Sequence, residues 1–206
     1  MLALAIFCVA SAVFFLPQVQ GKKMYQNDII QNKSAAKEIK TYKEQTGKKA
    51  LWTNSMFGGM PTYQISLPRD SNMISYVHKF FSTVVGAPIS MILIGMLSFY
   101  VLGRVLELEL WTSIIFSIAF ALMTYLMTLI EAGHNTKVIA VYLIPTIVAG
   151  IILAFNGKWI RGSILFAFGL GYNLFINHPQ MTYYFGLTLL ILGAILVFKY
   201  LKAGNI

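Results

Sequence analysis

Charge is scarce in this chain of 206 residues: aspartate, glutamate, lysine and arginine together make up 11%, against 57% hydrophobic residues. Acids are the scarcest, 7 against 16 bases, with 3 histidines beside them. So little charge, with a mean hydropathy of +0.69, excludes a soluble domain of this size, which carries charge on about a quarter of its residues. A single cysteine, Cys8, excludes a disulfide framework or a thiolate metal site within the chain. There is no low-complexity tract and no internal repeat of roughly 20 to 50 residues, which excludes a solenoid.

What remains is apolar sequence in long runs. About six of them, at 2–16, 88–106, 111–130, 138–155, 164–176 and 183–200, approach the length that crosses a hydrocarbon core. The expected fold is therefore an all-α integral membrane protein with about six transmembrane helices. Its first span lies within 1–20, a large extracytoplasmic loop with two amphipathic helices fills 21–86, and spans two to six occupy 87–206. The first run also has features of a signal peptide, with a weak cleavage site at Val19-Gln20-Gly21, although no basic residue precedes it.

Orientation follows from basic residues in short connections. Arg104, Lys158, Arg161, Lys199 and Lys202 occupy alternate gaps and the tail, whereas the opposite short gaps hold only Lys137. The N-terminus is thus expected in the cytoplasm and the first loop outside, despite Lys22 and Lys23 near the first span. The net charge of +9, placed beside lipid-facing helices, points to anionic lipid or phosphate-bearing substrates and not to nucleic acid.

Within the first loop, Ser34 is expected to cap a helix that stops at Gly47, with a stripe at Ala35, Ile39 and Tyr42. The segment 52–63 reads as an ordered loop around Gly58-Gly59 and Pro61. A second amphipathic helix begins near Asn72 and places Met73, Val77, Phe80, Phe81 and Val84 on one face, as an interfacial helix would.

Polar residues out of place in a bilayer concentrate in three gaps that this orientation puts on one membrane face: Asp28 with the 51–63 loop, the 131–137 turn and the 177–184 segment. Asp28 is a candidate general base or metal-positioning acid; its plainer role is a helix N-cap or a solvated loop acid. Glu131 and Lys137 each stand at the helix end that the dipole disfavours. Either they pair across the turn, or Glu131 faces a cavity and serves a metal or substrate. Glu131 and His134 have Glu-x-x-His spacing, but the second such motif of a di-iron bundle is missing. Pro179 suits the first helical position, leaving the amides of Gln180, Met181 and Thr182 for a phosphate, with His178 as a further donor. Trp52, Phe57, Met60 and Tyr63 can stack on a sugar, cover a lipid-linked substrate, or anchor the loop at the interface. No cofactor is specified; a divalent metal is compatible with Asp28 and Glu131.

Three motifs, Leu-Trp-Thr-Asn-Ser-Met-Phe-Gly-Gly-Met-Pro-Thr-Tyr at 51–63, Glu-Ala-Gly-His-Asn-Thr-Lys at 131–137 and Asn-His-Pro-Gln-Met-Thr-Tyr-Tyr at 177–184, strongly resemble the N-terminal part of the bacterial YfhO-like membrane protein family. The resemblance covers nearly the whole chain. That family resembles the GT-C glycosyltransferases, which take sugar from a polyprenyl-phosphate donor on the extracytoplasmic face and use an acid in the first outer loop. What the resemblance implies is a bacterial inner-membrane enzyme with Asp28 and Glu131 as candidate catalytic or metal-positioning acids. His134, His178 and Gln180 would contact the donor phosphate, and Trp52 and Tyr63 the substrate. Family members are much longer, so the chain is expected to be an N-terminal fragment. The competing expectations are a transporter or flippase fragment, kept open by Pro145, Gly169 and Gly171 inside spans, and a noncatalytic membrane scaffold.

Overall fold

The computed structural model describes residues 1–65 and 72–202, and most of them are helical. The apolar helices are α1 (Leu2–Phe14), α6 (Ile89–Val105), α7 (Leu110–Ala121), α8 (Thr124–Ala132), α9 (Asn135–Tyr142), α10 (Ile144–Phe155), α11 (Trp159–Ile176) and α12 (Pro179–Lys202). Short α2 (Leu16–Val19) follows α1; α3 (Asn27–Ala35), α4 (Lys37–Thr46) and α5 (Met73–Val84) belong to the long loop. Three segments are long and apolar enough to cross a membrane: Asn135–Phe155, formed by α9 and α10 together, α11, and α12. A fourth is added if the bent pair α7 and α8 counts as one span. The apolar runs at 2–16 and 88–106 become helices of 13 and 17 residues. The tail beyond Lys202, where the chain was expected to stop as a fragment, lies outside the described residues.

Helix α6 sits at the centre, packed by α1, α7, α9 and α10. Ile92 and Met96 on it are fully buried, together with Phe7 of α1, Val138 of α9 and Tyr142. Between lipid-solvated helices apolar surface gives little drive, so close packing and polar pairs hold them together. The Ser98 hydroxyl meets that of Thr146 at 2.7 Å and accepts from the Thr146 amide at 3.0 Å, tying α6 to α10. The tightest contact is between α10 and α11: a side chain at Gly150 would meet the Phe166 amide nitrogen at 2.5 Å, and one at Gly162 would run into the Ala154 backbone. Helix α12 has no buried residue and leans on α9, α10 and α11 from outside.

The third apolar run was expected to be one straight span, but it bends by 41° between α7 and α8. Neither proline nor glycine lies at the break. Instead the Tyr142 hydroxyl donates to the Ala121 carbonyl at 2.6 Å, taking an acceptor of the helical ladder at the bend. The aromatic ring can reach that point because Gly95 on α6 leaves the space: a Cβ there would lie 2.5 Å from the ring. In the next span Pro145 removes a ladder donor, and nearby the Ala140 carbonyl accepts from the buried Asn173 amide at 2.8 Å.

The loop follows its sequence more closely. Asn72 caps α5 by accepting from the Ile74 amide at 2.9 Å, and Gly47 ends α4 in the left-handed conformation at φ 68°. The packed face of α5 is carried by Ile74, Val77 and Phe81, whereas Met73, Phe80 and Val84 are exposed. Ser34 does not cap α4. Its hydroxyl turns back to the Ile30 carbonyl at 3.2 Å, so the preceding residues continue as α3, and Ala36 stands at the helix junction. The 52–63 segment is ordered as a minimal hairpin, β1 (Trp52–Thr53) against β2 (Met60–Pro61), followed by a 3₁₀ turn at Thr62–Gln64.

Candidate functional site

Asp28 lies in the first turn of α3, where the free amides and the dipole favour a carboxylate. The fold brings it against the turn between α8 and α9. Its Oδ2 lies 2.9 Å from Nδ1 of His134, and both side chains are about half exposed. The approach depends on Gly133, which closes α8 at φ 101°; a Cβ there would meet the Asp28 Cβ at 3.2 Å and the Ile29 amide nitrogen at 3.2 Å. Gln26 locks the same junction. Its amide donates to the Ile130 carbonyl and, at 3.0 Å, to the Asn135 side-chain oxygen, while Asn135 donates back at 3.3 Å.

These elements enclose an open cleft of about 540 Å³, lined by Asp28, His134, Asn135 and Thr136, with Met56 and Ile65 contributed by the hairpin region. A carboxylate on Nδ1 fixes the imidazole tautomer and leaves Nε2 for a substrate proton, which is how an Asp–His pair prepares a general base. Sequence spacing suggested Asp28 itself as the base. The geometry adds a contact that spacing did not show, between Asp28 and His134.

The third polar gap joins the cleft through His178. Its Nδ1 lies 3.3 Å from the Thr136 hydroxyl, and Asn177 donates to the Tyr63 carbonyl at 3.1 Å. Burial, reinforced by Lys137 and His134, holds the His178 pKa below its ordinary value. The shift favours the neutral ring. Its Nε2 is buried without a hydrogen-bond partner among the described residues. On the other side of His178, Thr182 donates to the His178 carbonyl at 3.2 Å and to the buried Asn173 at 2.7 Å. Thr182 and Asn173 form the polar end of an apolar groove of about 520 Å³ between α10, α11 and α12.

The remaining candidates stand apart from the cleft. Glu131 is exposed and makes no ion pair among the described residues; Lys137 lies 5.7 Å from the centre of the Tyr125 ring, so the expected pair across the turn does not form. Gln180 is exposed and reaches along α12 to the Tyr184 hydroxyl at 3.4 Å. Trp52 and Tyr63 are exposed, Trp52 donating to Asn54 at 3.2 Å; neither lines the cleft. No three His, Cys, Asp or Glu side chains gather as a metal-binding group among the described residues. Asp28 has one oxygen on His134 and Glu131 does not line the cleft, so the two acids proposed for a metal are not gathered there.

Sequence reading passed over Gln26, Asn135, Thr136, Asn173 and Glu38. The last is the clamp of the outer loop: one Glu38 oxygen accepts from the Thr53 hydroxyl and from the Asn54 and Ser55 amides, both at 3.0 Å. The Thr53 bond, helped by these amides, pulls the Glu38 pKa below its ordinary value of 4.5. A depressed carboxylate pKa stabilises the fold above that ordinary value, and the contribution is lost as pH falls through the lowered one. E38Q is expected to lower the protection factors of the Asn54 and Ser55 amides by about an order of magnitude at neutral pH, and acidification of the unsubstituted protein below its usual carboxylate range should lower them too, once the slower intrinsic exchange at low pH is divided out. Unchanged exchange in both would remove the clamp. Compared with protein-family models, with curated proteins and with solved structures, the chain matches none.

Proposed function

We propose that the chain is a membrane module of a GT-C-like glycosyltransferase of the YfhO-like family, crossing a bacterial inner membrane about six times with its N-terminus in the cytoplasm. It would transfer sugar from a polyprenyl-phosphate donor at the extracytoplasmic face. The observation that carries this reading is that His178 bridges a polar cleft and an apolar groove: its Nδ1 lies 3.3 Å from Thr136 of the cleft, and its carbonyl lies 3.2 Å from the hydroxyl of Thr182 of the groove. A substrate with a long apolar chain and a polar head needs that pairing. The chain lies along α12 in the groove, and the phosphate-linked sugar sits in the cleft beside His134.

In the reaction, Nε2 of His134 takes the proton of an acceptor hydroxyl as its oxygen bonds to the anomeric carbon. The bond from that carbon to the phosphate oxygen breaks, and the lipid phosphate leaves with the electron pair. Amide and hydroxyl donors of Asn135 and Thr136 are placed to stabilise the departing phosphate.

The test is transfer from labelled polyprenyl-phosphate sugar by membranes carrying the protein. Nothing lies within 4 Å of a Cβ built at Gly186 or Gly193, and Gly193 lines the groove, so G193L is chosen to occupy it. It is expected to raise the KM for the long-chain donor about tenfold, in keeping with several apolar contacts displaced, and to leave a short-chain donor unaffected. Equal KM values for both donors would remove the lipid groove from the function.

A flippase reading draws support from the two neighbouring helix breaks, at Leu122–Met123 and Leu143, linked by the Tyr142 hydroxyl. Against it, the buried polar residues of the described chain are serines, threonines and one asparagine, with no charge among them. Movement of labelled lipid across the bilayer without sugar transfer would favour it.

A further inference from the structure

The far end of the helices from the Asp28 cleft holds another cavity, of about 620 Å³, where α6 and α10 end and α11 begins. Three ionised side chains line it: Arg104 from the last turn of α6, Glu107 from the turn after it, and Lys158 from the turn before α11. They have mixed signs, yet none of the three forms an ion pair with any described residue. Arg104 is held in place by donating to the Leu108 carbonyl, and the Glu107 amide bonds the Arg104 carbonyl at 3.3 Å. Beside these charges the lining is apolar at Val101, Leu153 and Leu165.

Unpaired charges of both signs around one cavity suit a ligand that carries both signs. A simple anion would meet the Glu107 carboxylate, and a simple cation would meet Arg104 and Lys158. The apolar lining adds a hydrocarbon requirement. We propose that this cavity binds a zwitterionic aminophospholipid, its phosphodiester between Arg104 and Lys158, its primary ammonium on Glu107, and its first acyl carbons along Val101, Leu153 and Leu165. Arginine is suited to the phosphate because its remaining N–H groups form a planar fork. The ammonium must be primary, since three N–H donors can satisfy a carboxylate and a quaternary ammonium has none. This site shares no residue with the transfer reaction and stands or falls separately.

The test is native mass spectrometry of the full chain in detergent with equimolar phosphatidylethanolamine, phosphatidylcholine and phosphatidylglycerol. Phosphatidylethanolamine is expected to be retained at least fivefold over each of the others. E107Q should erase its advantage over phosphatidylglycerol, and R104Q with K158Q should lower its retention about tenfold. Equal retention of the ethanolamine and choline lipids by the unsubstituted chain would overturn the proposal, whatever the variants do. Retention unchanged by E107Q would do the same. Competition by soluble phosphoethanolamine at the same concentration as the lipid would assign the cavity to a free headgroup and overturn the lipid assignment.

Discussion

H134Q is expected to lower kcat for sugar transfer by about two to four orders of magnitude, the usual contribution of a positioned general base. D28N should lower it less, because both side chains of the pair are about half exposed and water can partly replace the lost carboxylate. Asparagine can still contact the imidazole, but it no longer favours the tautomer with hydrogen on Nδ1, nor the imidazolium that forms as the proton is taken. KM for the lipid donor should be little changed in either variant, because the groove proposed for its chain is formed by α10, α11 and α12. A pure folding defect would not give that split of kcat from KM. The order of the two effects also decides the roles. If D28N abolishes transfer while H134Q leaves most of it, the base is Asp28 and His134 only holds it. Full activity in both variants would remove the pair from catalysis.

The sequence made some of this site legible and left the rest hidden for a physical reason. Asp28, His134 and His178 stood out because charge and imidazole are rare in such an apolar chain, and rarity at span ends is visible without a structure. That they converge required only that three gaps share a membrane face. Which of them touch could not be read, because the Asp28–His134 contact depends on how far α3 leans over the turn at Gly133. The residues passed over share one trait. Gln26, Asn135 and Thr136 are ordinary polar residues whose importance lies in their partners, and a partner 42 or 109 residues away leaves no local pattern. The bend between α7 and α8 was equally invisible, since its cause is Tyr142 in the next span and the space above Gly95, not a breaker at the bend. Apolar length identified α9 with α10, α11 and α12 well, because hydropathy reports what a helix is dissolved in. It overstated α1 and α6, whose hydrogen-bonded helices are shorter than their apolar runs.

G162A is expected to be among the most destabilising single substitutions in the protein, costing about 3 kcal/mol or more where ordinary overpacking costs about 1 to 3. The difference lies in what the new side chain meets. At most packed sites a flexible neighbour can swing aside, but a Cβ at Gly162 runs into the Ala154 backbone nitrogen and lies 2.7 Å from its Cα. Backbone in a helix cannot give way alone, so α10 and α11 must separate along their length. Their facing small residues, Gly150, Ala154 and Gly162, would then lose the close approach that stands in for hydrophobic drive between helices in lipid. G186A on α12 is the matched control. It also adds a methyl to a helical glycine, but into open space, and should leave stability unchanged or raise it by up to about 1 kcal/mol, because alanine loses less backbone entropy in a helix than glycine. Thermal unfolding in detergent separates the two, and equal midpoints for G162A and G186A would refute the close contact. The same variant should reach the site. Helix α11 carries Asn173, bonded to Ala140 and Thr182, and ends at Asn177, bonded to Tyr63. Pushing α11 outward strains all three, so the surviving folded fraction of G162A should show a raised KM for the lipid donor before any fall in kcat. Helix packing at Gly150, Ala154 and Gly162 and the polar Asn173–Thr182 end of the groove are thereby one mechanical unit.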